Sequence, residues 1–131
     1  MYCHINAGGL RGLKSYAALV EVDVSRGLPC FEMVGLLAGE VKEARERIRV
    51  ALKNAGADVP AGKITVNISP AGIHKGGTAY DLPVAVGILT ALGRIPQERL
   101  EGVWIAGELG LNAKVKPVRG ALPMVMAAEA A

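Results

Sequence analysis

From Ser69 to Thr78 the chain gathers a serine, a histidine, a lysine and a threonine around a glycine pair: Ser69-Pro70-Ala71-Gly72-Ile73-His74-Lys75-Gly76-Gly77-Thr78. Amides beside glycine, together with Lys75, could contact a phosphate. The same glycines equally suit a tight loop that needs positive φ. A second set of cations, Lys42, Arg45, Arg49 and Lys53, is interspersed with Glu43 and Glu46. Such a mixture reads as a solvated face or as a nucleic-acid contact, and interspersed signs favour the former. Tyr80 is one ring where a stacking platform for single strands wants several.

Other chemistries lack their groups. A phosphate loop needs glycines, a lysine and a hydroxyl in register, because amides cradle the phosphates and the hydroxyl holds magnesium. Gly62-Lys63-Ile64 has neither the hydroxyl nor the upstream glycine spacing. The chain alone is therefore not expected to hydrolyse nucleotides or to hold a cofactor. Cys3, His4, Cys30 and His74 lack the close, paired spacing of a zinc site, so no metal is expected. No CxxC pair suggests a disulfide scaffold.

These residues need positioning elements. The 131 residues fit one domain, and aromatics at 4% make the core aliphatic. Net charge of +3 is compatible with nucleic acid without pointing to it. Val20, Val22 and Val24 alternate with Glu21 and Asp23, predicting a strand over 16–24 with one wet face. A first strand is expected over 2–7, followed by a turn at Gly8-Gly9 and Gly12. Ser25-Arg26-Gly27 reads as a hairpin turn with 31–36 returning.

Val41, Ala44, Ile48, Ala51, Leu52 and Ala55 form the buried stripe of a helix over 39–55, with Glu43 and Arg47 as an i,i+4 pair and Gly56 as its cap. A buried strand follows over 63–69, then an apolar helix over 80–92 with Asp81 as N-cap. A strand over 102–109, a turn at Gly110-Ala113, a strand over 114–119 and a helix over 121–131 complete the chain. This order predicts a two-layer α+β domain, with helices on one face of a mixed sheet. No signal peptide and no apolar run long enough for a span are visible, so a cytoplasmic location without membrane contact is expected.

Three stretches together carry a resemblance. They are Gly27-Leu28-Pro29-Cys30-Phe31-Glu32-Met33-Val34-Gly35-Leu36, Ile64-Thr65-Val66-Asn67-Ile68-Ser69-Pro70-Ala71 and Tyr80-Asp81-Leu82-Pro83-Val84-Ala85. Val41 to Arg49, Gly107-Glu108-Leu109 and Lys116-Pro117-Val118-Arg119-Gly120 extend it over most of the chain. They closely resemble the N-terminal domain of the Mg-chelatase-related ComM/YifB proteins, which is similar in fold to the Lon peptidase domain and to ribosomal protein S5 domain 2. The family usually has proline at Leu37, glycine at Cys30 and an acidic residue at Gly72.

The resemblance places Ala79 where Lon carries its serine and Pro123 where it carries its lysine, which implies no serine–lysine dyad. It implies a non-catalytic accessory domain, with no catalytic residue, in front of an AAA+ ATPase that uses ATP and magnesium. The whole protein would form hexameric rings on DNA and drive branch migration in natural transformation. This domain would contact DNA, a partner, its own ATPase part or neighbouring subunits. Lys75, Arg45, Arg49 and Lys42 are the candidate DNA contacts. The uncapped end of the last helix fits residues 1–131 as a single domain cut from a longer protein. Two other readings stay open: a degenerate module that binds protein, and an active peptidase using other residues such as Ser69 or Lys75.

Overall fold

The computed structural model describes residues 1–11, 14–118 and 121–130. Three long strands build the sheet: β1 Tyr2–Arg11, β2 Lys14–Ser25 and β4 Lys63–Ser69. Two shorter ones, β3 Cys30–Val34 and β5 Trp104–Ile105, form its edges, in the order β3-β4-β2-β1-β5. β2 runs antiparallel to β1 and β4, while β3 pairs parallel to β4 and β5 parallel to β1. A separate hairpin joins β6 Glu108–Leu109 to β7 Val115–Lys116. The helices are α1 Gly39–Asn54, α2 Asp81–Ala91 and α3 Ala121–Ala130, with a 3-10 turn at Gln97–Leu100. The α+β class with a mixed sheet is as expected.

Alternation sorts the sheet's faces. Cys3, Ile5 and Ala7 of β1, Val20 and Val22 of β2 and Val66 and Ile68 of β4 are all buried. α2 lies directly on them: the Cys3 thiol donates to the Gly87 carbonyl at 2.9 Å, and a Cβ on Gly87 would come within 2.6 Å of Val22 Cγ2. α1 adds Val41, Ala44, Ile48, Ala51 and Leu52 to the same core. It ends in a Schellman motif, in which Gly56 at φ +79° donates to Lys53 O and Ala57 donates to Leu52 O at 3.0 Å.

Several expectations are corrected. Gly8 and Gly9 extend β1 instead of turning the chain; Gly12 lies outside the described residues. β3 does not return against β2: β4 inserts between them, because the chain crosses over through α1 and comes back parallel to β3. Ala55 is exposed at the helix end. The strand expected over 102–109 is split, with β5 in the main sheet and β6 in the hairpin. The expected return over 114–119 is only Val115–Lys116, and residues 119 and 120 lie outside the described residues. Helices do not all share one face. Gly8 alternates with the buried Ala7, and a Cβ on it would meet Met124 of α3 at 3.0 Å, so α3 packs on the opposite side.

Candidate functional site

Lys75 is fully buried, against the expectation of a loop cation free to reach phosphate. Its Nζ donates to the carbonyls of Gly35 and Pro70, and to that of Ile73 at 2.7 Å. An ammonium has three N–H donors, and all are committed. Burial pushes its pKa below the ordinary lysine value, while three carbonyl acceptors favour the charged form. Its backbone is equally engaged, donating to Leu36 O at 3.0 Å and accepting from Ala38 N–H at 2.7 Å. Leu36 holds φ +60°, a conformation that costs a side chain like leucine free energy, and these bonds fasten it. Lys75 is thus the clamp between the 35–38 and 70–77 segments, which removes it from the candidate DNA contacts.

The glycine loop is occupied in the same way. Gly77 N–H, at φ +81°, donates to Glu40 Oε1 at 3.0 Å. That amide holds the Glu40 carboxyl below its ordinary pKa, so a carboxylate sits where a phosphate would have to come. The start of α2 is closed too. Asp81 N–H donates to Thr78 O, Leu82 N–H to Gly107 O and Val84 N–H to Tyr80 O, and Pro83 has no amide proton. These residues do not fit a nucleotide's phosphates.

Asp81 does not cap α2: Tyr80 is at the N-cap position, and Asp81 begins the helix almost wholly buried. Its carboxylate accepts from Arg47 Nε at 2.9 Å, Arg47 Nη2 at 3.0 Å and Leu109 N–H at 3.0 Å. Arg47 therefore pairs with Asp81 across to α2, and its expected ion pair with Glu43 is not formed. The hydrogen-bonded carboxylate raises the Arg47 pKa. This knot joins α1, α2 and the β6–β7 hairpin.

The position matched to the Lon serine, Ala79, is a buried methyl whose carbonyl accepts Gly107 N–H at 3.1 Å. Pro123 lies in the first turn of α3; Arg119 and Gly120 beside it lie outside the described residues. Among the described residues no serine or threonine hydroxyl is hydrogen-bonded to a lysine amine. Ser69 Oγ instead accepts from Asn67 Nδ2 at 3.4 Å on the sheet face away from α2. The same Asn67 amide donates to Glu21 Oε1 at 3.0 Å, and Tyr2 OH donates to Glu21 Oε2 at 2.7 Å. These two donors hold the Glu21 carboxyl below its ordinary value. The described residues contain no group of three metal-ligating side chains. No described helix is long and apolar enough to cross a membrane.

The structure does bring Lys42, Arg45 and Arg49 together. They line a shallow depression of about 290 Å³ with Phe31, Glu43 and Glu46 on the exposed side of α1. Arg45 lies over the sheet edge, donating to Lys42 O at 3.0 Å and Phe31 O at 3.3 Å, while Arg49 pairs with Glu46. Beside it, a larger cleft of about 490 Å³ opens between the last turns of α1, the start of β3 and the 57–60 loop. Sequence reading missed this cleft. Its lining comes from five places, the 29–31 stretch, the end of α1, the 57–60 loop, β4 and α2, and the prolines Pro29 and Pro60 in it are no local signal of a cleft.

Residues 20–131 match the family model described as subunit ChlI of Mg-chelatase. The chain is 42% identical to the uncharacterized protein YifB of Escherichia coli over 111 residues, covering 85% of this chain and 22% of YifB. It is 40% identical to the competence protein ComM of Haemophilus influenzae over 118 residues, covering 90% of this chain and 23% of ComM. A more distant likeness, 32% over 88 residues, covers 67% of this chain and 15% of Lon protease 2 of Bacillus subtilis. The chain thus spans less than a quarter of each of these relatives.

Proposed function

The chain belongs to the ChlI-type Mg-chelatase family and corresponds to the N-terminal region of its YifB and ComM members, and from that premise we propose that it is a non-catalytic accessory domain of a larger AAA+ ATPase acting on DNA. In this reading ATP and magnesium serve the rest of the protein, which assembles as a hexamer and moves DNA branches in the manner of a competence protein. This domain adds contacts to DNA, to its own ATPase part and to neighbouring subunits. One observation carries the DNA contact: Lys42, Arg45 and Arg49 converge around Phe31 on one exposed face of α1, in a chain similar to a competence protein. Arginine and lysine heads on a helix face contact backbone phosphates without reading sequence. A peptidase role has no reacting pair to rest on, with a methyl at Ala79 and a ring at Pro123.

Fluorescence anisotropy of the chain with labelled single-stranded, duplex and forked DNA across a salt series tests the proposal. Each phosphate contact contributes a slope of about −0.9 to log affinity against log salt, so three cations give about −3 on duplex. Charge reversal at Lys42, Arg45 or Arg49 is expected to lower that slope by about one contact each. Absence of binding at low salt would remove DNA from the domain's contacts and leave subunits and partners.

A further inference from the structure

The 490 Å³ cleft adjoins the depression proposed to face DNA, and the two share Phe31 and Arg49. We propose that it docks a short acidic segment of a partner protein, which places one bulky apolar side chain inside and its carboxylates against Arg49 and Lys53. The lining is apolar: Leu52 and Ile88 of the core lie beneath the cleft, and the half-buried Phe31 and Ile64 close its sides. Such concave, mostly apolar sites with a few polar groups at the mouth are where ligands bind.

Charge selects the occupant. Arg49, which pairs with Glu46 at the surface, and Lys53 stand four residues apart, on one face of α1 and therefore along one wall. Lys53 forms no ion pair among the described residues. The lone carboxylate, Asp58, is on the 57–60 loop, which Arg94 holds by donating to the Asp58 carbonyl. An acidic segment is therefore attracted along the α1 wall and repelled from the loop wall, which fixes its direction. Leu28, 88% exposed, directly precedes Pro29 of the lining in the chain, so a bound segment has apolar surface to cover next to the cleft.

The two cysteines make the test clean, because Cys30 lines the cleft and is exposed while Cys3 is buried. A random dodecapeptide display library is panned on the 131-residue chain and on the same chain alkylated at Cys30 with a bulky maleimide. The expected result is enrichment, on the unblocked chain only, of peptides with Leu, Phe or Trp beside Asp or Glu. A synthetic copy of the enriched peptide should slow Cys30 alkylation. Lys53→Glu, once its circular dichroism is checked against the parent, should weaken its binding about tenfold by turning an attraction into a repulsion.

Enrichment that survives the block, peptides without acidic residues, or an affinity indifferent to Lys53→Glu would each overturn the proposal. So would cleft binding of 8-anilinonaphthalene-1-sulfonate with no peptide enriched, which would make the site one for small organic anions. Block-sensitive dimerisation in sedimentation would make it a contact between copies. Duplex DNA that protects Cys30 as well as the peptide does would merge the cleft with the DNA face.

Discussion

Lys75 shows how a single side chain decides what a loop can do. Its ammonium gathers the carbonyls of Gly35, Pro70 and Ile73, and of these Pro70 O also accepts the Ile73 N–H at 3.4 Å. Lys75→Met, which keeps the length and removes the charge, is expected to cost about 3 kcal/mol, since hydrogen bonds from a charged donor contribute about 1.5–3 kcal/mol each. Urea unfolding measures this, and a cost within error of zero would mean that water replaces the ammonium freely. Lysine is rarely fully buried, so a lysine beside two glycines reads as exposed. Two of the caging carbonyls, Pro70 O and Ile73 O, are local, and the third, Gly35 O, is brought by the distant 35–38 segment.

Glu21 gives a residue-scale prediction in pH. Its carboxyl is depressed below the ordinary 4.5 by the Tyr2 hydroxyl and the Asn67 amide. A depressed carboxyl stabilises the fold above its unfolded value and loses that contribution as pH falls through the folded one. Carboxyl carbon NMR should show the Glu21 midpoint below 4.5, and Tyr2→Phe should move it upward; an unmoved midpoint would remove Tyr2 as the cause.

At the scale of elements, α2 sits on the sheet only because it carries glycine at 87. A methyl there gains helix propensity of about 1 kcal/mol, yet it must displace Val22 Cγ2 from 2.6 Å in a closely packed core, which costs about 1–3 kcal/mol. Gly87→Ala is therefore expected to destabilise on balance, and Val22→Ala added to it should recover part of the loss in thermal unfolding. A more stable Gly87→Ala protein would show that α2 is free to shift outward. Elements with local periodicity were legible from sequence: the valine alternation of β2 and the three-four stripe of α1 stand where those patterns put them. Pairing order was not, because the turn chemistry at Ser25-Arg26-Gly27 suits a hairpin, whereas β4 arrives from across α1 and takes the place beside β2. Arg47 went astray for the same reason: Glu43 is its local neighbour, and Asp81 reaches it only through the packing of α1 on α2.

At the scale of the whole molecule, the Arg47–Asp81–Leu109 knot ties both core helices to the small hairpin. Arg47→Ala leaves a carboxylate buried with only the Leu109 amide for company, and is expected to cost about 3 kcal/mol. Replacing both partners, Arg47→Met with Asp81→Leu, should cost less than Arg47→Ala alone, because no charge is then stranded. A double-mutant cycle in urea checks this, and strict additivity would mean that the two side chains do not depend on each other. The candidate site was half legible at this scale. Lys42, Arg45 and Arg49 lie on one helix and share its face, whereas the neighbouring cleft is assembled from parts that meet only in the folded chain.

The caged ammonium carries one further consequence. Carbonyl clusters of this kind can be filled by a dissolved monovalent cation, and a loop shaped that way answers to the potassium or sodium around it. Here the ion is the end of a side chain covalently attached to the loop itself. It cannot be washed out, exchanged or competed away, so the shape of the 70–77 loop is independent of which salts surround the protein, even where its surface contacts are not.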